Sequence, residues 1–449
     1  MVIYHTNDIH SNFSFLKKVH GYLKTHRCQE DFYFDSGDYA DLKSTLVQAD
    51  QGVSALELLA SCGLDAMTVG NNECDPGYDA LKRMAAGFPI LCANLTDNDG
   101  HPVPGLAASM LTERQGKRFL IIGLAPYYRK DMSPDAYNLF FEMGNLRTTD
   151  PIPTARRELE RYAGKYDYCI ALSHSGHGVD RALMERLPEI DLWLGGHSHS
   201  VFCDSGYSTS GKGEYLGKIT LDLGGPIRVT ESVQIDLPEC EDEEFDTLLL
   251  QKEAEADRVL SRELEICGEL EFDPFRECPL TNFLCDCLRK QFGGDLAVMH
   301  GGISEKSLTR PVSRKSLIET FPSKLNPTIY PISGGKLLEA IALSLDEAHI
   351  RQDGHGAGFR GHVLGNLGFS SNVTVTADPF SVRIDGCEID PARVYTLVTD
   401  DYLQRGSGYP SLAAPDELCR YDKWFIRDMV EHFLTHRELF ETARIRRFL

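Results

Sequence analysis

The first 200 residues alternate short apolar runs with longer stretches in which apolar side chains recur every three or four positions. The runs at 2–5, 32–34, 66–69, 90–93, 119–123, 168–172 and 192–194 are strand-sized. Between them Phe15, Leu16, Val19 and Leu23, then Leu56 and Leu59, then Leu81 and Met84 fall on single helical faces. Strands that alternate with amphipathic helices predict an α/β domain with crossover connections. After about Asp236 the texture changes. Residues 241–260 are charged and helix-prone, with one apolar stripe at 248–250, and read as an interdomain helix. A helix pattern at 280–291 then precedes β-like runs at 296–299, 328–332, 373–376 and 394–398, which predicts a second domain of α+β type. The expected division is 1–236, a connector at 237–261, and 262–449.

Composition narrows the function classes. A chain of 449 residues suits two cores better than one. Its net charge of −21 argues against a duplex-nucleic-acid or membrane-surface protein, both of which need basic patches. No apolar run approaches the ~20 residues of a membrane span. The 13 cysteines are scattered without a CxxC pair, which suits buried thiols in a reducing compartment. With no leader-like pattern ahead of the first strand, the cytoplasm is the expected location.

Five polar clusters stand directly after predicted strands. They are Asn7-Asp8-Ile9-His10, Asp35-Ser36-Gly37-Asp38, Gly70-Asn71-Asn72-Glu73, Ser173-His174-Ser175-Gly176-His177 and Gly195-Gly196-His197-Ser198-His199. In open α/β sheets, ligands collect beyond the carboxyl ends of strands, so these loops can meet at one place. Each cluster carries Asp, Asn or His, the oxygen and nitrogen donors that suit Zn, Mn, Fe or Co. Singly each motif is weak; in this order they form a pattern that chance rarely supplies.

The order D-x-H, G-D, G-N-x-E, H, G-H-x-H resembles the calcineurin-like metallophosphoesterase domain. His5-Thr6-Asn7-Asp8-Ile9-His10 and Cys92-Ala93-Asn94 resemble the 5′-nucleotidase branch in particular. The resemblance implies a four-layer αββα sandwich followed by an α+β 5′-nucleotidase C-terminal domain. It also implies two divalent ions, with Asp8, His10, Asp38 and His199 on one and Asp38, Asn71, His174 and His197 on the other. A shared carboxylate keeps such ions about 3.5–4 Å apart, where they clamp a phosphoryl oxygen and activate a bridging water for in-line attack.

One departure concerns proton transfer. The family usually reads G-N-H-[ED], with an Asp that orients the His. This chain has Asn72 at the His position, and Asp75 matches the orienting residue. Asn donates a hydrogen bond but no proton. His177 and His300 are the candidates to supply one in its place.

The second domain of the family holds the substrate. Phe275-Arg276-Glu277-Cys278 with Thr281-Asn282 resembles its R-E-x-x-x-x-N helix start, which makes Arg276 a candidate contact. Gly406-Ser407-Gly408-Tyr409 resembles its G-G-D-G-[FY] loop, which makes Tyr409 the candidate stacking ring, with Phe321 as the second ring and Asn94 and His300 as further contacts. The loop Met299-His300-Gly301-Gly302-Ile303-Ser304 keeps the family's turn without its Asn and Arg. The expected activity is hydrolysis of nucleotides or related small phosphate monoesters. The alternatives are a phosphodiesterase acting on cyclic or dinucleotide substrates and a metal-loaded nucleotide sensor.

Overall fold

The computed structural model describes residues 1–134, 137–356 and 358–449. The chain divides into two compact units, Met1–Ala256 and Asp257–Leu449.

The first unit contains two six-stranded sheets. One is built on the parallel strands Val2–Thr6, Phe32–Asp35, Ala66–Thr68 and Ile90–Leu91. The other has the parallel strands Lys117–Leu124, Tyr168–Ser173 and Leu192–Gly195 at its centre. Alternation along each strand sorts side chains to opposite faces. Ile3, Phe32, Phe34, Ile121, Ile170 and Leu194 share one buried core, which places the two sheets face to face. Tyr4 points the other way and meets Tyr22 of the helix Phe13–His26 edge-on. Leu120, Ile122 and Trp193 pack with Ala155, Leu159, Val179 and Leu183 of the helices Pro151–Arg161 and His177–Arg186. The layers are therefore helix, sheet, sheet, helix.

Polar edge strands escape the hydrophobic pattern. Ser109–Arg114 and Arg228–Ile235 pair only on one side and alternate exposed with half-buried positions. Their side chains lack the apolar continuity that marks the central parallel strands.

The helix Glu243–Leu260 contains the boundary between the units. Its N-terminal part and the approach to it are fastened to the first unit. His20 pairs with Asp242, Lys17 with Asp246 and Lys252 with Glu57.

The second unit has a five-stranded mixed sheet whose members include Leu296–His300, Val394–Asp400 and Pro327–Ser333. The helix Pro279–Phe292 starts with proline at its first position and stops at Gly293, whose φ is +77°. It buries Phe283, Leu284 and Leu288 in the second core. Among the described residues, no helix is long and apolar enough to cross a membrane.

Candidate metal centre

The two sheets aim the carboxyl ends of their parallel strands at one region. Asp8 and His10 follow Val2–Thr6, Asp38 follows Phe32–Asp35, and Asn71 opens the helix after Ala66–Thr68. His174 follows Tyr168–Ser173, and His197 and His199 follow Leu192–Gly195. Two groups of donors result: Asp8, His10 and His199, and Asp38, His174 and His197, each with its ligand atoms within 4.8 Å of one another. Asp38 Oδ2 lies 3.9 Å from His10 Nε2 and its Oδ1 lies 3.4 Å from His174 Nε2, so one carboxylate faces both groups. Asn71 Oδ1 is 3.2 Å from His197 Nδ1.

The backbone is bent to make these groups converge. Asp8, His10, Asp38, His197 and His199 all have positive φ, from +48° to +72°. Non-glycine residues adopt this region at a cost, and such outliers gather where a site over-determines the chain. The bent loops hold one another: the Asp8 N–H donates to the Gly37 carbonyl at 2.9 Å and the His10 N–H to the Asp38 carbonyl at 3.0 Å. Gly70 is required by close approach, since a Cβ there would sit 2.3 Å from Asp38 Oδ1.

Glu73, buried within the G-N-x-E motif, accepts N–H bonds from Asp38, Tyr39, Ala40 and Gly70 at 2.8–3.0 Å. It ties the Asp38 loop to the Asn71 helix. Sequence reasoning included Glu73 in a cluster without giving it this role; its spacing from Gly70 as a capping glutamate is the signal that could have found it. Tyr137, whose hydroxyl lies 2.7 Å from His197 Nε2, carried no such signal because it comes from a separate short helix, Tyr137–Phe141.

The electrostatics suit a cation. Burial would push the Asp38 carboxyl up, but His174 and then His10 hold it well below the usual carboxylate range. Burial works against the His174 imidazolium, yet Asp38 and Asp8 raise that group to about 10. Burial and then the neighbouring His174 lower His197 to about 4. His174 donates Nδ1–H to the Ser36 carbonyl at 2.7 Å, which leaves its Nε2 directed at the carboxylates. Asp8 Oδ1 and His174 Nε2 are buried without a hydrogen-bond partner among the described residues, 3.7 Å apart. Buried polar atoms are normally satisfied, and divalent ions held by the two donor groups would satisfy these two. A third donor group, Asp97, Asp99 and His101, is different in kind: Asp97 accepts the Asp99 and His101 N–H groups as an exposed turn.

Comparison with known proteins agrees with this geometry. The calcineurin-like phosphoesterase family matches residues 1–201, and the 5′-nucleotidase C-terminal domain matches residues 265–414. The chain belongs to the 5′-nucleotidase family. It is 25% identical to the uncharacterized metallophosphoesterase YunD of Bacillus subtilis (strain 168), over 95% of this chain and 97% of that protein. A 5′-nucleotidase of Diplobatis ommata is 24% identical over 83% of this chain and 73% of its own length. The structure of Haemophilus influenzae NAD nucleotidase matches with a TM-score of 0.64 at 15% identity, covering 98% of this chain and 96% of that one. As a member of this family the chain is a metal-dependent phosphoesterase, and the family relies on divalent metals.

Outside the metal centre, the 5′-nucleotidase motifs serve different ends here. Tyr409 is fully buried in the second core, and its hydroxyl donates to the Gly365 carbonyl at 2.7 Å, so it is a packing residue where a presented ring was expected. Phe321 is likewise buried in that core. Asn94 is corrected to a structural role: its amide donates to the Ala125 and Thr149 carbonyls and accepts the Ala125 N–H. His300 is buried beside Tyr402 and Phe359, its Nε2 3.4 Å from Asp400 Oδ2, and is closed to solvent. Glu277 and Asn282 of the helix-start motif hold the C-terminal segment, with Glu277 accepting the Arg447 and Phe448 N–H groups. Arg276 beside them is exposed.

The candidate proton carriers also separate. His177 is half-buried and stacks on Phe202 at 3.6 Å between centroids, and Arg181 donates to its Nε2. Asp75 is exposed at the end of the short Asn71–Cys74 helix. Asn72 is buried with its amide Nδ2 2.9 Å from His10 Nδ1, while its backbone N–H donates to Asp38 Oδ1 at 2.8 Å.

Proposed function

We propose that this chain hydrolyses nucleotides or related small phosphate monoesters at a two-ion centre. Asp8, His10, Asp38 and His199 would hold one ion, and Asp38, Asn71, His174 and His197 the other. The observation that carries the reading is that each of the two donor groups holds a buried donor atom with no hydrogen bond, Asp8 Oδ1 in one and His174 Nε2 in the other, with the Asp38 carboxylate facing both groups. Divalent ions bound there would polarise phosphoryl oxygens and lower the pKa of a coordinated water, which supplies a nucleophile at neutral pH.

The chain's own contribution is positional. The Ser36 carbonyl fixes the His174 ring, Tyr137 steadies His197, and Glu73 locks the Asp38 loop. Asn72 delivers no proton to a departing alkoxide. Substrates whose leaving group departs as a stable anion are therefore favoured. That observation supports the second reading, a phosphodiesterase, for dinucleotides joined through a pyrophosphate, which expel a phosphate.

The test is a screen of the purified chain, supplied with Mn or Co, against p-nitrophenyl phosphate, bis-p-nitrophenyl phosphate and a nucleotide panel, with metal content measured in parallel. Turnover of a nucleotide is the expected result. Bound metal with no turnover on any substrate would sink both enzyme readings and leave a nucleotide sensor.

A further inference from the structure

The buried His10 and His174 and the half-buried His197 each have a partner at the nitrogen turned away from the donor group, and the partners differ in kind. His174 Nδ1 faces the Ser36 carbonyl, which only accepts. His197 Nε2 faces the Tyr137 hydroxyl, which serves either way. His10 Nδ1 has two neighbours of opposite character: Asp41 Oδ2 at 3.2 Å, an anionic acceptor, and Asn72 Nδ2 at 2.9 Å, a donor. His10 Nε2 is 3.0 Å from His199 Nε2 and 3.9 Å from both Asp8 Oδ1 and Asp38 Oδ2.

A neutral imidazole carries one proton, and the two tautomers lead to opposite results here. If Nδ1 accepts from Asn72, the proton sits on Nε2 and points into the donor group, where it excludes a cation. If Nδ1 carries the proton, it donates to Asp41, and Nε2 turns its lone pair to the same point as His199. We infer that Asp41 is a positioning residue, whose carboxylate selects the second tautomer of His10 against the competing amide of Asn72. The inference rests on the two-ion reading above.

Asp41 is built for this task. It is buried, its Oδ1 accepts the Lys43 N–H at 2.9 Å, and its own N–H donates to the Ser11 hydroxyl at 3.0 Å, so the carboxylate is aimed before any ion arrives. A carboxylate behind a ligating histidine also raises the basicity of the ligating nitrogen, and removing such a partner weakens metal affinity by about 10- to 100-fold. Asn72 touches His10 through its side chain and Asp38 through its backbone. The residue that replaces the family's proton donor is thus in contact with the same tautomer choice.

The full chain, stripped by chelation, is titrated with Mn²⁺ by calorimetry. Wild type should bind two ions, and Asp41→Asn should weaken one event by about 10- to 100-fold while the other stays in place. In the stripped wild type, ¹⁵N NMR of the His10 ring should show the proton on Nδ1, a reading that a merely structural Asp41 would not dictate and that decides the matter if the variant does not fold. A proton on Nε2, or an Asp41→Asn chain that binds both ions as tightly as wild type, overturns the inference and leaves the two-ion reading standing. Failure of the wild type to bind Mn²⁺ at all would instead remove the two-ion reading.

Discussion

Two substitutions at Tyr409 separate a packing role from a nucleoside-stacking one. The ring is fully buried and its hydroxyl donates to the Gly365 carbonyl at 2.7 Å, with His349 edge-on at 5.2 Å between centroids. Tyr409→Phe keeps the ring and removes the hydroxyl. The lost bond and the carbonyl left behind should cost about 1–3 kcal/mol. Tyr409→Ala also empties the ring's place in the core, and buried aromatic truncations cost about 3–5 kcal/mol. Urea unfolding gives both numbers from the shift in midpoint at unchanged slope. Michaelis constants for a nucleotide and for p-nitrophenyl phosphate, taken on the folded fraction, supply the second axis. The structure predicts a graded loss of stability, Phe then Ala, with the ratio of the two Michaelis constants unmoved in Tyr409→Phe. A Tyr409→Ala chain as stable as wild type, whose Michaelis constant rises for the nucleotide alone, would refute the core assignment and restore the stacking ring.

Asp38→Asn, which weakens the carboxylate facing both donor groups, should lower bound metal below the wild-type stoichiometry and abolish turnover, as measured by elemental analysis beside the phosphatase assay; unchanged metal content and activity would contradict a shared-carboxylate centre. Asn72→His should raise activity on alkyl phosphates more than on p-nitrophenyl phosphate, because only the alkyl leaving group needs a proton, and equal gains on both would remove the missing-acid argument. Burial raises the Asp180 carboxyl to about 7, against the Ser173 and Tyr207 hydroxyls that favour its charged form. The folded state therefore keeps a proton that the unfolded chain loses near the ordinary Asp value, so this group's stabilisation is full below about pH 4 and is lost as pH rises through about 7. Asp180→Asn should flatten the fall in melting temperature over that window at fixed metal concentration, and an unchanged pH profile would show that Asp180 is ionised throughout.

Much of the candidate metal centre was legible because its donors are local in the chain relative to the strands that carry them. A short apolar run followed by Gly, Asp and His specifies a strand end with a tight turn. Parallel strands in crossover units send all such ends to one edge. Asp8, His10, Asp38, Asn71, His174, His197 and His199 could therefore be grouped before any contact was known, and the structure draws the two donor groups from among them. The alternation of strand and helix likewise determined the α/β character of the first unit and the mixed character of the second.

Tertiary structure alone decided which polar and aromatic residues face inward. Tyr409, Phe321, His300 and Asn94 sit in motifs that resemble substrate-binding loops, yet all four are buried, and Asn94 spends its amide on the backbone of distant segments. A motif specifies a turn and a residue type; whether the side chain meets solvent depends on what packs above it. The same limit hid Asp41, Glu73 and Tyr137. Their partners, His10, Asp38 and His197, lie 31, 35 and 60 positions away along the chain. Local hydrophobic pattern carries no record of a hydrogen bond made across such distances, so the candidate donors can be read from the sequence, while the groups that orient them are set by the fold.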